Sequence, residues 1–161
     1  MSSRRTDVVA VLTLGLALGL QTGSPGAAST VDGAWRQPVI PARSSHTVIV
    51  DPVRQRLIAF GGWASPADGA SVWAYPLDGG AAWTRLSGTG TPPPALAEHC
   101  AVYDPERDRM LVLTGSGAGN GVWALSLSGT PTWTLLETTG TPPEAREAAS
   151  AVYDPARDRV L

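Results

Sequence analysis

Cys100-Ala-Val-Tyr-Asp-Pro-Glu-Arg-Asp-Arg-Met110 returns as Ser150-Ala-Val-Tyr-Asp-Pro-Ala-Arg-Asp-Arg-Val160, and in looser form as Thr47-Val-Ile-Val-Asp-Pro-Val-Arg-Gln-Arg-Leu57. The Asp-Pro pairs begin at residues 51, 104 and 154, so the copies stand 53 and 50 residues apart. A period near fifty is the span of one four-stranded propeller blade. Repetition of this kind specifies architecture more sharply than chemistry.

Outward from each copy, the unit divides into four short segments separated by turn residues. In the first unit these are His46 to Val50, Arg56 to Phe60, Val72 to Tyr75 and Trp83 to Leu86. In the second they are Cys100 to Tyr103, Arg109 to Leu113, Val122 to Leu125 and Trp133 to Leu136. Short apolar runs bounded by Gly, Pro or Asp read as strands of antiparallel hairpins. Asp followed by Pro suits the first two positions of a type I turn. Trp73 and Trp83 recur 50 residues on as Trp123 and Trp133, and Thr91-Pro92-Pro93 recurs as Thr141-Pro142-Pro143. Proline blocks continuation of a sheet, so the unit boundaries fall in these linkers. Trp123 and Trp133 are expected to stack between neighbouring blades, where indole rings bury large apolar areas.

The chain of 161 residues opens differently. Arg4 and Arg5 precede a thirteen-residue apolar run, Val8 to Leu20, and small residues Gly26-Ala27-Ala28 follow. That order predicts a secretory signal over residues 1–28, with cleavage after Ala28. The run is too short for a comfortable membrane-spanning helix, and no cysteine closes it to mark a lipid anchor. The remainder carries ten Arg, no Lys and thirteen Asp plus Glu, a formal charge of −3. The arginines are scattered singly, which excludes a basic stripe of the kind that binds nucleic acid. Cys100 is the sole cysteine, so no disulfide can form within the chain, and its apolar neighbours predict a buried, inert thiol.

Several residues carry a resemblance to a known family. Pro41-Ala42-Arg43-Ser44-Ser45-His46, an apolar strand ending in Phe60-Gly61-Gly62, and the later Tyr75 and Trp83 resemble a kelch repeat. The resemblance covers about residues 35 to 161. In the second unit Leu96 stands at the arginine position, Thr114-Gly115 at the double glycine and Leu125 at the tyrosine. The third keeps Arg146 but has Ala149 where the histidine would be. The resemblance implies an all-β, kelch-type β-propeller, incomplete at about two and a half four-stranded blades. The expected divisions are an N-terminal segment over 29–45 with a closing strand near Trp35, a first blade over 46–90, a linker and second blade over 91–140, and a linker and truncated third unit over 141–161. The chain stops at Leu161 inside a strand, so it is expected to be the N-terminal part of a longer propeller. Its open sheet edge is expected to favour self-association.

Candidate chemistry is sparse. His46 and His99 occupy equivalent strand starts, but no third ligand follows at hairpin spacing, and a hydrogen-bonding role is the expected one. No catalytic residue, metal or cofactor is assigned. A copper radical oxidase resembling galactose oxidase is the enzymatic alternative, with its site in blades beyond this chain. Tyr75, Tyr103, Tyr153, Cys100, His46 and His99 all fall at repeat positions, and none stands out as an added ligand. Partial matches to the Asp-box of sialidase-like propellers, Asp78-x-Gly80-x-x-Trp83 among them, read as hairpin turns. Gly115-Ser-Gly-Ala-Gly119 reads as a blade loop rather than a phosphate cradle, since it joins two strands. The first unit's loop, Gly62 to Gly69, is longer and holds an extra tryptophan. Trp63, Asp68 and Arg43 are therefore the candidate ligand-binding residues, for a protein or glycan partner. The resulting expectation is an exported binding or scaffolding module, secreted, periplasmic or displayed on the cell surface, with a surface adhesin repeat as a further alternative.

Overall fold

The computed structural model describes residues 29–30, 33–34, 40–65, 68–80, 82–114, 119–144 and 146–161. The expected signal, Trp35 and Gly115 to Ala118 lie outside these residues. Every regular element among the described residues is a β-strand, in four separate sheets.

β1 (Ser29–Thr30) and β2 (Gly33–Ala34) form a small antiparallel pair. The first blade follows as β3 (Thr47–Asp51), β4 (Arg56–Phe60), β5 (Val72–Pro76) and β6 (Thr84–Arg85), paired antiparallel in chain order. β-branched Thr47, Val48, Ile49 and Val50 suit the pleated backbone of its first strand. β7 (Thr89–Gly90) comes next, then the second blade: β8 (Cys100–Asp104), β9 (Arg109–Leu113), β10 (Val122–Ser126) and β11 (Thr132–Leu136). β12 (Tyr153–Asp154) and β13 (Arg159–Val160) are the opening hairpin of the third unit. The four-strand plan read from the repeats is therefore the observed one, with strand ends shifted by at most one residue.

One connection was not legible in the repeats. β7 follows the first blade in sequence yet pairs parallel with β11, outermost in the second sheet. Thr89 and Thr132 join their hydroxyls at 2.9 Å along this seam. The linker thus straps the edge of the succeeding blade, covering backbone groups that an edge strand would leave open.

Strand periodicity gives each blade two apolar faces, one for each neighbour. Ile49, Ile58, Phe60, Val72 and Ala74 of the first blade share one cluster with Leu96, Met110, Val112, Leu125, Leu127 and Trp133 of the second. The Phe60 and Trp133 rings lie 5.0 Å apart across this boundary, so Trp133 stacks between blades as its repetition implied. Trp123, half-buried, packs against the same cluster. On the second blade's other face, Val102, Leu111 and Ala124 meet Ala151, Tyr153 and Val160 of the third unit. Burial of each large side chain stabilises the fold by about 1.5–3 kcal/mol, so these interfaces hold the array together. The first strands run side by side, β3 against β8 and β8 against β12. Backbone bonds link their approaches: Glu98 N–H donates to the Ser45 carbonyl and Ala148 N–H to the Glu98 carbonyl, both at 3.0 Å. Ser45, Glu98 and Ala148 all take positive φ, at 53°, 58° and 52°, so one tight bend is repeated before each inner strand.

Candidate functional site

The longer loop of the first blade leaves β4 through Gly61 and Gly62, at φ 67° and 95°. These glycines are required by close approach. A Cβ on Gly61 would stand 2.7 Å from His99 Cε1, and one on Gly62 would stand 2.5 Å from the Ser44 carbonyl oxygen. Gly62 N–H also donates to the Leu96 carbonyl at 2.6 Å, tying the loop to the next blade.

Trp63 follows, fixed by reciprocal backbone bonds with Ser44 at 2.8 and 3.1 Å. Its backbone is held while its indole is 67% exposed, the most exposed large apolar side chain described. Asp68 turns the loop back: its N–H donates to the Ser65 carbonyl, and its carboxylate accepts from the Ser65 hydroxyl at 2.7 Å. Arg43 lies beneath. It is 2% exposed, and its guanidinium donates to the carbonyls of Pro41 and Gly61 and to the Ser71 hydroxyl. It also sits over the Trp73 ring at 6.0 Å. The Ser71 hydroxyl donates to the Asp68 carbonyl and accepts from Trp73 Nε1 and Arg43, which uses its full bonding capacity. Burial lowers the Arg43 pKa, and nearby Asp68 opposes that shift. Of the three residues singled out by sequence, Trp63 and Asp68 therefore stand at the loop surface, while Arg43 is spent on holding the loop to the blade.

His46 and His99 sit behind the double glycine. His99 is 6% exposed, packs edge-on against Phe60 at 5.3 Å, and bonds Thr47 Oγ1 through Nε2 at 2.8 Å. Burial, with His46 nearby, pushes the His99 pKa down to about 4; burial and Arg43 lower that of His46. Both rings are thus neutral at pH 7; the expected hydrogen-bonding role is seen at His99 through Nε2, while Nδ1 of each ring is buried with no partner among the described residues. No three His, Cys, Asp or Glu side chains gather as a metal-binding group among the described residues. Cys100 is half-buried, and burial raises its thiol pKa.

A cavity of about 290 Å³ opens between the second blade and the third unit, with Leu113, Thr114, Arg146 and Ala149 in its wall. The corresponding space between the first two blades is filled by Phe60, Leu96, His99 and Trp133. The cavity exists where Ala149 and Arg146 stand in place of His99 and Leu96.

Sequence reasoning treated Asp-Pro-x-Arg-x-Arg as a turn device and missed its second task. Asp51 and Asp104 are fully buried. Asp51 accepts from the Arg54 N–H at 3.1 Å and from Arg56 Nε at 2.8 Å; Asp104 accepts from the Arg107 N–H at 3.2 Å and from Arg109 Nε at 2.7 Å. The first arginine of the first two motifs then reaches forward. Arg54 grips Asp108 of the second blade with two bonds of 3.0 and 2.6 Å. Arg107 grips Asp158 of the third unit with two of 2.9 and 2.7 Å. The phenols of Tyr103 and Tyr153 donate to the same carboxylates at 3.0 and 2.6 Å. Bonds from Arg54 and Arg107 hold the Asp108 and Asp158 pKa values below the ordinary range. The available signal was the strict recurrence of charge inside a hairpin, beyond what a turn needs.

A family model described as the KLHDC2/KLHL20/DRC7 Kelch-repeats domain matches residues 29–157. No curated protein matches the chain. Among the described residues no helix is long and apolar enough to cross a membrane.

Proposed function

This chain belongs to the kelch-repeat family, a family of β-propeller interaction modules, and from that premise we propose that it binds a partner protein through the loop at the mouth of its first blade. The observation that carries the reading is Trp63: an indole 67% exposed on a backbone pinned to Ser44. An exposed aromatic on a fixed backbone loses little entropy when it docks, and tryptophan is enriched among residues that dominate binding energy. Asp68 supplies a carboxylate a few residues away on the same loop. Arg43 acts from below as a positioning residue through its bonds to Gly61 and Ser71.

The reading includes export. The basic, apolar and small-residue order over residues 1–28 supports a cleaved leader, so the partner would be met outside the cytoplasm. Secretion is tested by fractionating cells that express the full chain and determining the N-terminus of the exported protein. A start at Ser29 supports it; retention of residues 1–28 in the cytoplasmic fraction overturns it.

Binding is tested by screening the folded chain and its Trp63→Ala variant against displayed peptide and glycan libraries. Peptide binding that Trp63→Ala abolishes, with unchanged thermal stability, supports the assignment. Equal binding by both proteins removes Trp63 from the site, and recognition confined to glycans replaces the protein partner with a sugar.

A further inference from the structure

From the division of charge between the two ends of the blades, and resting on the assignment of Trp63 as the docking residue, we infer that the partner protein presents a cationic, arginine-bearing segment. Successive strands alternate in direction, so each described charge lies toward one of two ends. One end holds the hairpin turns that follow Asp51, Asp104 and Asp154; the other holds the Trp63 loop and the linkers. Six arginines stand at the turn end, and each is bonded to an aspartate. Asp51 holds Arg54 and Arg56, Asp104 holds Arg107 and Arg109, and Asp154 holds Arg157 and Arg159. Their charge is offset inside the fold.

The loop end is unbalanced. Among the described residues it carries five carboxylates, those of Asp68, Glu98, Glu137, Glu144 and Glu147. Against them stand three arginines, of which Arg43 is buried under the loop while Arg85 and Arg146 are exposed. Two of the carboxylates are tied to the seam that pins Trp63. Asp68 lies on the same loop, where Oδ2 accepts from the Ser65 hydroxyl and the charge faces Arg43. Glu98 enters from the linker. Its N–H donates to the Ser45 carbonyl, beside the Ser44–Trp63 bonds, and Gly62 N–H donates to the Leu96 carbonyl two residues before it. Glu98 is half-buried, and its carboxylate makes no hydrogen bond or ion pair among the described residues.

These features specify the occupant. The face of an indole attracts a cation through the ring quadrupole, and Trp63 is exposed for such an approach. A guanidinium is planar and weakly hydrated, so it stacks on an aromatic face and still directs N–H groups at a carboxylate. Arginine therefore suits this surface better than lysine, whose ammonium is a compact, strongly hydrated charge. An acidic segment, a phosphate backbone or an anionic lipid surface meets like charge here. Exposed charge pairs contribute little affinity each, so the carboxylates act mainly on choice of partner and on encounter rate, while Trp63 supplies the anchor.

The test selects short random peptides displayed against the full chain, then measures those recovered against the parent, Trp63→Ala, Asp68→Asn and Glu98→Gln. Support comes from peptides enriched in arginine that bind about tenfold more weakly to Trp63→Ala and about two- to fivefold more weakly to each carboxylate variant. Their affinity should fall as salt rises from about 50 to about 500 mM, and should be lost when the peptide's arginine is replaced by glutamine. The salt and replacement series use the parent alone, so they decide the matter even where a variant does not fold. Glu98→Lys should turn the same selection toward acidic peptides, a result that a purely structural role for Glu98 does not produce. Peptides that need Trp63 but are neutral or acidic, or that are indifferent to salt and to both carboxylate variants, overturn the inference and leave Trp63 as the docking residue. Absence of peptide binding, or binding unchanged by Trp63→Ala, overturns both.

Discussion

The guanidinium of Arg54 and the carboxylate of Asp108, 54 residues apart in sequence, meet across the first blade boundary in two hydrogen bonds of 3.0 and 2.6 Å. Arg54 is also bonded to buried Asp51. One carboxylate thus shapes the hairpin and aims the arginine, and the second receives it. Because the Arg54–Asp108 pair is partly exposed, solvent screens it. Arg54→Ala is expected to cost about 1 kcal/mol in urea unfolding, with the loss shrinking at high salt. A cost unaffected by salt would assign the effect to packing of the side-chain stem instead.

Asp51 is the more sensitive member, since it is fully buried beneath Arg54 and Arg56. Asp51→Asn keeps the shape but removes the charge facing two guanidinium groups. We expect a loss of about 2–4 kcal/mol, larger than for Arg54→Ala. Comparing midpoints of denaturant unfolding at equal m-values checks the order of the two effects.

The two histidines make stability depend on pH. His99 titrates at about 4 in the folded chain, below its ordinary value of 6.5, because burial disfavours the imidazolium. A depressed folded pKa contributes stability that is present above the unfolded value and lost as pH falls through the folded one. Stability should therefore decline between about pH 6.5 and pH 4, and His99→Gln should flatten that decline. The Asp108 and Asp158 carboxylates, also depressed, add their loss at still lower pH. At the alkaline end Tyr103, raised to about 12 by burial and by its bond to Asp108, loses its contribution as pH climbs through 10 to 12. A flat profile between pH 4 and 6.5 would contradict the histidine assignment.

Gly61→Ala should be among the most damaging small substitutions. The added methyl would meet His99 Cε1 and the Leu96 carbonyl, both at 2.7 Å, on a backbone at φ 67°. A cost of about 3 kcal/mol is expected, measured by thermal unfolding. Gly79→Ala is the control, at φ 99° in open space, and should cost only the backbone share, about 1 kcal/mol.

Ala148 offers the opposite sign. It holds φ 52° without a side chain that favours the left-handed region, and it is exposed. Ala148→Gly should raise stability by about 0.5–1 kcal/mol and slow amide exchange in the third-unit hairpin. A loss of stability would mean that the bend is not strained.

Much of the architecture was readable before the fold. Repeated apolar runs and turn residues placed eight strands of two blades and the hairpin of a third, because strand and turn signals are local. Trp133 was correctly read as an inter-blade ring from its recurrence. β7 was not foreseen: Thr89–Gly90 is too short and polar to carry a strand pattern, and its pairing depends on a sheet that comes later in the chain. Of the candidate site, Trp63 could be found as an extra aromatic in a longer loop. Arg43 looked equally available, yet the fold buries it, since carbonyls from Pro41 and Gly61 and the Ser71 hydroxyl converge on it.

The sequence alone determined the unit, its strand order and its turn, because hydrophobic alternation and backbone preferences act over a few residues. Only the tertiary structure decided what each repeated charge does. Whether Arg54 points to solvent, to its own Asp51 or to Asp108 depends on how closely the next blade packs, and that spacing is set by Phe60, Met110 and Trp133 in the shared core. A charge pair across a boundary forms only after burial has fixed the distance.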